Sequence, residues 1–254
     1  MHTTNTKRRV LSAFTALLLF PIFGFAAPDD QSKGQGKVNP ADIIAKYLQA
    51  IQKQKDAIQN ATMQVEIAAS VPKLKEQGKL RALRIISKVG HTTYRVLGFQ
   101  GDNTIKNQVI ARYLQAEQQG QGNNALDVTP DNYKFKYKGK WQFEGKDAYL
   151  FSLSPRKKRV GLFKGELWLD ATAYLPIYEK GRFVKNPSVF FKRVVFQRGF
   201  AIQNGIAIPR YMTSTIDMRI IGKVELTISY SNFVLNPGSA TQQAESAVRQ
   251  VVAK

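Results

Sequence analysis

The sequence contains no cysteine. Disulfides, thiolate chemistry and lipid attached through cysteine are therefore excluded. Histidine is scarce as well: there are two, and His2 lies in an N-terminal leader, so the body of the chain keeps only His91. With no cysteine and no histidine pair, the composition argues against a transition-metal centre. A Ser-His-Asp triad would have to use His91, and no nucleophile-elbow sequence accompanies it. No phosphate-binding glycine loop is present either, since Gly120-Gln121-Gly122 lacks both a flanking strand and a lysine. No cofactor is implied. Acidic residues are few, 18 against 38 basic, which gives a formal charge of +20. Such an excess favours anionic partners: nucleic acid, acidic lipid headgroups or lipopolysaccharide.

Long apolar runs are also missing. The only candidate, Val10 to Phe25, is broken by Pro21 and falls short of the roughly 20 residues that span a bilayer. It follows Lys7, Arg8 and Arg9 and ends at Gly24-Phe25-Ala26, with small residues where a signal peptidase needs them. The expectation is a secretory signal peptide over 1–26, cleaved after Ala26, rather than a membrane anchor. Its loss would lower the formal charge by three and place a strongly basic protein in the periplasm. Export removes genomic nucleic acid as a partner.

The most informative stretch runs from Tyr133 to Pro176. Tyr133, Phe135 and Tyr137 alternate with lysines, Tyr149, Phe151 and Leu153 repeat the pattern, and Leu167 and Leu169 follow it more weakly. A period of two marks strands with one apolar and one wetted face. Met63, Val65, Ile67 and Ala69 predict an earlier strand ending near Pro72, with Lys73 to Gly78 as a charged turn. Leu80 to Val89, Thr92 to Phe99 and Val189 to Phe200 predict further strands. Met212, Ile216, Met218 and Ile220 alternate with polar residues, as do Val224, Leu226, Ile228 and Tyr230 after Gly222.

Two helices interrupt this pattern. Asn39-Pro40-Ala41-Asp42 offers a cap, a first-turn proline and an acid at the positive end of the dipole. Ile43, Ile44, Tyr47, Leu48, Ile51 and Ile58 then fall on one face. That face either seals a core or forms a lid over a cavity, with the seal favoured. Val109, Ile110, Tyr113 and Leu114 predict the second helix, over Lys106 to Gln118. The expected class is α+β, mainly β: nine to eleven strands in a large curved antiparallel sheet, with helix over its concave side. The expected organisation is a leader over 1–26, a polar linker over 27–38, one domain over 39–236 and a polar tail over 237–254.

Candidate carboxylates are poorly placed for catalysis. Glu166 and Asp170 share a strand face roughly 13 Å apart, beyond the separation of a glycosidase pair. The basic clusters are Lys134, Lys136, Lys138 and Lys140; Arg156, Lys157, Lys158 and Arg159; and Lys192, Arg193 and Arg198. They read either as a solvated outer face or as an attraction for anionic headgroups. Parity puts Tyr133, Phe135 and Tyr137 opposite the lysines, which argues against nucleic acid.

The runs Asn132-Tyr133-Lys134-Phe135, Ala148-Tyr149-Leu150, Pro155-Arg156-Lys157-Lys158 and Gly165-Glu166-Leu167-Trp168-Leu169-Asp170 resemble the outer-membrane lipoprotein-sorting, LolA-like superfamily. Lys185 to Val194 and Gly222 to Tyr230 resemble its C-terminal half. The resemblance implies an incomplete antiparallel barrel with a helical lid over an apolar cavity, and a carrier rather than an enzyme. Its cargo would be lipid acyl chains or lipoproteins. Its partners would be inner- or outer-membrane transport proteins or an anionic membrane surface. The alternative is a periplasmic sensor or envelope-assembly adaptor that binds a protein segment in the same cleft. The expected cavity wall is Tyr133, Phe135, Tyr137, Tyr149, Phe151, Leu167, Leu169, Met218, Ile220, Leu226 and Ile228. Ile43, Tyr47, Leu48 and Ile51 are the lid candidates, and Arg156, Lys157, Lys158 and Arg159 the anionic-surface candidates.

Overall fold

The computed structural model describes residues 38–120, 122, 124–186, 191–219 and 222–235. The leader over 1–26, nearly all of the linker, the tail and Ile220 lie outside these residues. Asn39 caps the first helix as its sequence predicts: the Ala41 N–H donates to Asn39 Oδ1 at 3.1 Å, and α1 runs over Pro40–Ala57. Three strands follow, β1 (Ala61–Val71), β2 (Glu76–Ile86) and β3 (Thr92–Gly101). A long connection then holds α2 (Asn103–Ile105), a π-helical turn (Lys106–Ile110) and α3 (Ala111–Gly120). Seven strands complete the order: β4 (Tyr133–Phe143), β5 (Lys146–Pro155), β6 (Phe163–Asp170), β7 (Pro176–Phe183), β8 (Phe191–Gln203), β9 (Ile206–Met218) and β10 (Gly222–Leu235).

Among the described residues, ten strands form one antiparallel sheet in the order β3-β2-β1-β10-β9-β8-β7-β6-β5-β4. Two meanders are joined where β10 pairs with β1. Strands β3 and β4 are its two edges, so the barrel is incomplete, and the helical connection links those edges. The strand count falls inside the expected range. One connection and one strand differ notably from the sequence reading. The predicted charged turn over 73–78 is shorter, because β2 begins at Glu76. Strand β7 carries no clean apolar alternation in sequence; its neighbours β6 and β8 hold it in register.

Strands β6 and β7 approach closely at one cross-strand glycine pair. Gly165 and Gly181 are register partners. A Cβ on Gly165 would stand 1.9 Å from the Lys180 carbonyl oxygen, and one on Gly181 2.6 Å from Phe163 Cδ2. Only glycine permits that approach.

The inner face carries two apolar cores. One joins β1, β2 and β10 to Ile105 and Ile110 of the second helical segment. The other joins Ile43 and Tyr47 of α1 to Tyr133, Phe151, Leu153, Leu162, Phe163, Leu167 and Leu169. Helix α1 thus covers this second core, and its Tyr47 hydroxyl donates to the Val128 carbonyl at 3.0 Å. No helix among the described residues is long and apolar enough to cross a membrane.

Candidate functional site

Against the first core, beside the end of α1 and α3, lies a cavity of about 300 Å³, at the lower end of the range for small-molecule pockets. The last turn of α1 supplies Gln54 and, just beyond it, Ile58. Gln54 Oε1 accepts from the Ala207 N–H at 2.8 Å, which ties α1 to the start of β9. Met63, Ile86, Phe200, Ile206, Ile208, Met212 and Phe233 give the cavity its apolar wall. Tyr113, Tyr211 and Tyr230 add amphipathic rings, and Arg84, Glu117 and Arg198 are its charged members.

Those charges are neutralised pairwise. Arg84 lies 3.5 Å from Glu117 and donates through Nε to the Tyr94 hydroxyl at 3.2 Å. Tyr94 in turn donates to Glu117 Oε2 at 2.6 Å. Burial, and then the Glu117 charge, push the Tyr94 phenol well above its ordinary range. On the other side Arg198 pairs with Glu179, which is 4% exposed. Burial opposes the Arg198 charge, and Glu179 more than offsets it, so the guanidinium stays protonated. The Arg198 guanidinium also lies near the Phe196 and Phe200 rings, 5.5 and 6.0 Å from their centroids. The cavity is thus apolar over most of its wall, with two balanced ion pairs and a set of phenols.

The residues expected from sequence to form a cavity wall have other positions. Tyr133, Phe151, Leu167 and Leu169 are fully buried in the core under α1, and Phe135, Tyr137 and Tyr149 pack against that core. Leu226 and Ile228 belong to the other core, and Met218 packs against it. None of these lines the cavity. Of the lid candidates, Ile43 and Tyr47 are buried and Leu48 and Ile51 half-buried. Arg156, Lys157, Lys158 and Arg159 are exposed in the β5–β6 connection.

Three surface readings change. Arg198, grouped by sequence with Lys192 and Arg193, faces inward, because it shares parity with Val194 and Phe196. Lys140 leaves the lysine row: Gly139 has φ +113° and the register shifts between Tyr137 and Gly139, so Lys140 bridges to Asp147. Glu166 and Asp170 are engaged structurally. Glu166 accepts from Trp168 Nε1 at 3.1 Å and bridges to Lys180 at 3.1 Å, and Asp170 Oδ1 accepts the Thr172 and Ala173 N–H groups.

The residues missed by sequence reading had a signal. Arg84 falls on the apolar parity of Leu80, Ala82 and Ile86, and Glu179 on that of Ile177. A charge on a buried parity needs a partner inside the fold. Glu117 lies one helical turn after Tyr113, on the face turned to the cavity. Among the described residues no group of three or more His, Asp or Glu side chains could hold a metal ion.

No family model matches the chain, and no curated protein matches it. Solved structures are similar to it. A DUF1329 family protein from Desulfovibrio piger shares 14% identity, over 79% of this chain and 95% of that one, with a TM-score of 0.41. A domain described as an outer membrane lipoprotein-sorting protein, from Vibrio parahaemolyticus, shares 12% identity over 78% and 94% of the two chains, with a TM-score of 0.43. A LolA superfamily protein from Nitrosomonas europaea shares 13% over 78% and 94%, with a TM-score of 0.35.

Proposed function

We propose that the protein is a periplasmic, non-enzymatic carrier that binds the acyl chains of lipids or lipoproteins in the cavity between its two helical segments. In this reading it serves transport or sorting towards the outer membrane. The working unit is 39–236, behind an export signal over 1–26 and a linker over 27–38 and ahead of a tail over 237–254. The observation that carries the reading is the cavity itself. An incomplete barrel leaves space on its inner face, and Ile58, Met63, Phe200, Met212 and Phe233 give that space an apolar wall. An alkyl chain entering it gains roughly 25 cal/mol per Å² of apolar surface removed from water. Because Arg84 and Arg198 are already paired with Glu117 and Glu179, the cavity demands no formal charge of its ligand. The phenols of Tyr113, Tyr211 and Tyr230 suit an ester or amide at the polar end of the chain.

The test is lipid extraction and mass measurement of the purified protein, followed by titration with a fluorescent fatty acid. Co-purified phospholipid or lipoprotein, and saturable probe binding, are expected. Met212→Trp fills the cavity and should lower probe affinity by roughly tenfold or more, at an overpacking cost of about 1–3 kcal/mol. A cavity that is empty on extraction and never takes the probe would favour the adaptor reading, with a protein segment in the cleft.

A further inference from the structure

The outer face of the sheet, away from both helical segments, holds a second concavity. It is an open groove of about 910 Å³ across β4 to β9. Lys138, Lys164, Arg182 and Arg193 stand around it. All four are exposed, and among the described residues none of them forms an ion pair. The carboxylate in the groove, Glu166, is bridged to Lys180. Asp217, the register neighbour of Arg193, makes no salt bridge with it. Some other surface lysines do find partners: Lys55 with Asp127, Lys79 with Glu66, Lys140 with Asp147 and Lys223 with Glu225. The groove therefore concentrates positive charge that the fold leaves unbalanced.

Aromatic side chains share this face. The bulge at Gly139 inverts the parity of β4, so that Trp141 lines the groove beside Lys138. Trp141 is 54% exposed, and its Nε1–H is held by the Lys138 carbonyl at 3.0 Å. Phe143 follows on the same side, with its ring 5.3 Å from Trp168 and 5.0 Å from Tyr178. An exposed indole beside paired arginines and lysines suits the boundary between a lipid headgroup layer and water. Arginine forks bind phosphate bidentately, and lysines add point charge.

We propose that this outer face docks the protein on an anionic phospholipid surface, with lipid phosphates seated in the groove among Lys138, Lys164, Arg182 and Arg193. The docking face is distinct from the β5–β6 connection and lies on the other side of the sheet from the acyl cavity. A docked protein thus keeps its inner face free. The proposal does not depend on the carrier reading, and probe binding in the cavity is measured separately.

The test uses the full purified chain and co-sedimentation with vesicles. One set contains phosphatidylcholine alone, the other phosphatidylcholine and phosphatidylglycerol in equal parts. Binding to the anionic set only is expected. K164Q/R182Q/R193Q should lose roughly a hundredfold in partitioning. An equal loss of charge at Lys53, Lys88 and Arg112, on the helices and a far turn, should change it far less. In a Trp168→Phe background the remaining Trp141 emission should shift to the blue on anionic vesicles, a readout that does not depend on the triple variant folding. Equal losses in both triple variants, or no Trp141 shift, would overturn the proposal. So would tighter binding to duplex DNA than to the anionic vesicles, which would assign the groove to a nucleic-acid backbone.

Discussion

Glu179 on β7 and Arg198 on β8 face each other directly across two neighbouring strands; Arg198 Nε donates to Glu179 Oε2, and Nη2 forms an ion pair with the same oxygen. Glu179 is buried while Arg198 reaches the cavity, so the pair joins the wall of the site to the core beneath it. Breaking a buried pair leaves one charge without compensation. Arg198→Ala should cost about 3 kcal/mol or more in denaturant unfolding. Arg198→Ala with Glu179→Gln should recover part of that, because no charge is left stranded. A double variant less stable than Arg198→Ala would show that the pair is not the source of the loss.

Helix α1 makes the second prediction. Ile51 packs against the core under α1 and does not line the cavity. Ile51→Asp should therefore destabilise the protein by at least about 2 kcal/mol from lost apolar contact, before the cost of placing a carboxylate there. Fluorescent fatty-acid affinity per folded molecule should stay close to wild type. A variant with full stability and altered probe affinity would make α1 a lid instead of a seal.

Alkali should unfold the protein earlier than its lysines alone would dictate. Burial raises the phenols of Tyr47, Tyr113 and Tyr133 above their ordinary value, that of Tyr133 to about 12. The unfolded chain loses these protons first, near pH 10, so the native state binds more protons above that pH. The stability that Tyr133 contributes in this way is complete below about pH 10 and is lost as pH rises through about 12, and Tyr47 and Tyr113 act in the same direction. Tyr133→Phe should flatten the fall in melting temperature over this window. At neutral pH it should cost about 1–3 kcal/mol, because the Phe163 N–H loses its acceptor, now 3.2 Å away.

The β5–β6 connection divides by residue. Arg156 is structural: its Nε donates to the Pro130 carbonyl at 2.6 Å, and its backbone N–H donates to Asn132 at 2.8 Å. Arg156→Gln should lower stability by about 1 kcal/mol. Lys157, Lys158 and Arg159 are exposed, and neutralising them should leave the melting temperature unchanged. It should weaken attachment to anionic vesicles, and added salt should imitate the loss, since screening acts over about 8 Å at physiological ionic strength. An unchanged salt response in that variant would remove the connection from the membrane contact.

Much of the fold follows from the sequence alone. Alternation in Tyr133-Lys134-Phe135-Lys136-Tyr137 and in Val224 to Tyr230 fixes strand and face together, because side chains in a strand have only two directions. The Asn39 cap and the stripe from Ile43 to Ile51 set α1 and its buried side in the same local way. The tertiary structure decided which apolar face becomes packed core and which becomes open space. Tyr133, Phe151 and Leu226 have the pattern of a wall, yet helices cover them, while Met63, Met212 and Phe233 border an open cavity beside the first core. That outcome depends on where two helical segments land on a ten-stranded sheet, and no local period encodes it. One residue of bulge at Gly139 sent Trp141 outward, and one step of parity brought Arg198 inward to Glu179. A pairing between strands is needed to see either, since register is a property of two segments and not of one.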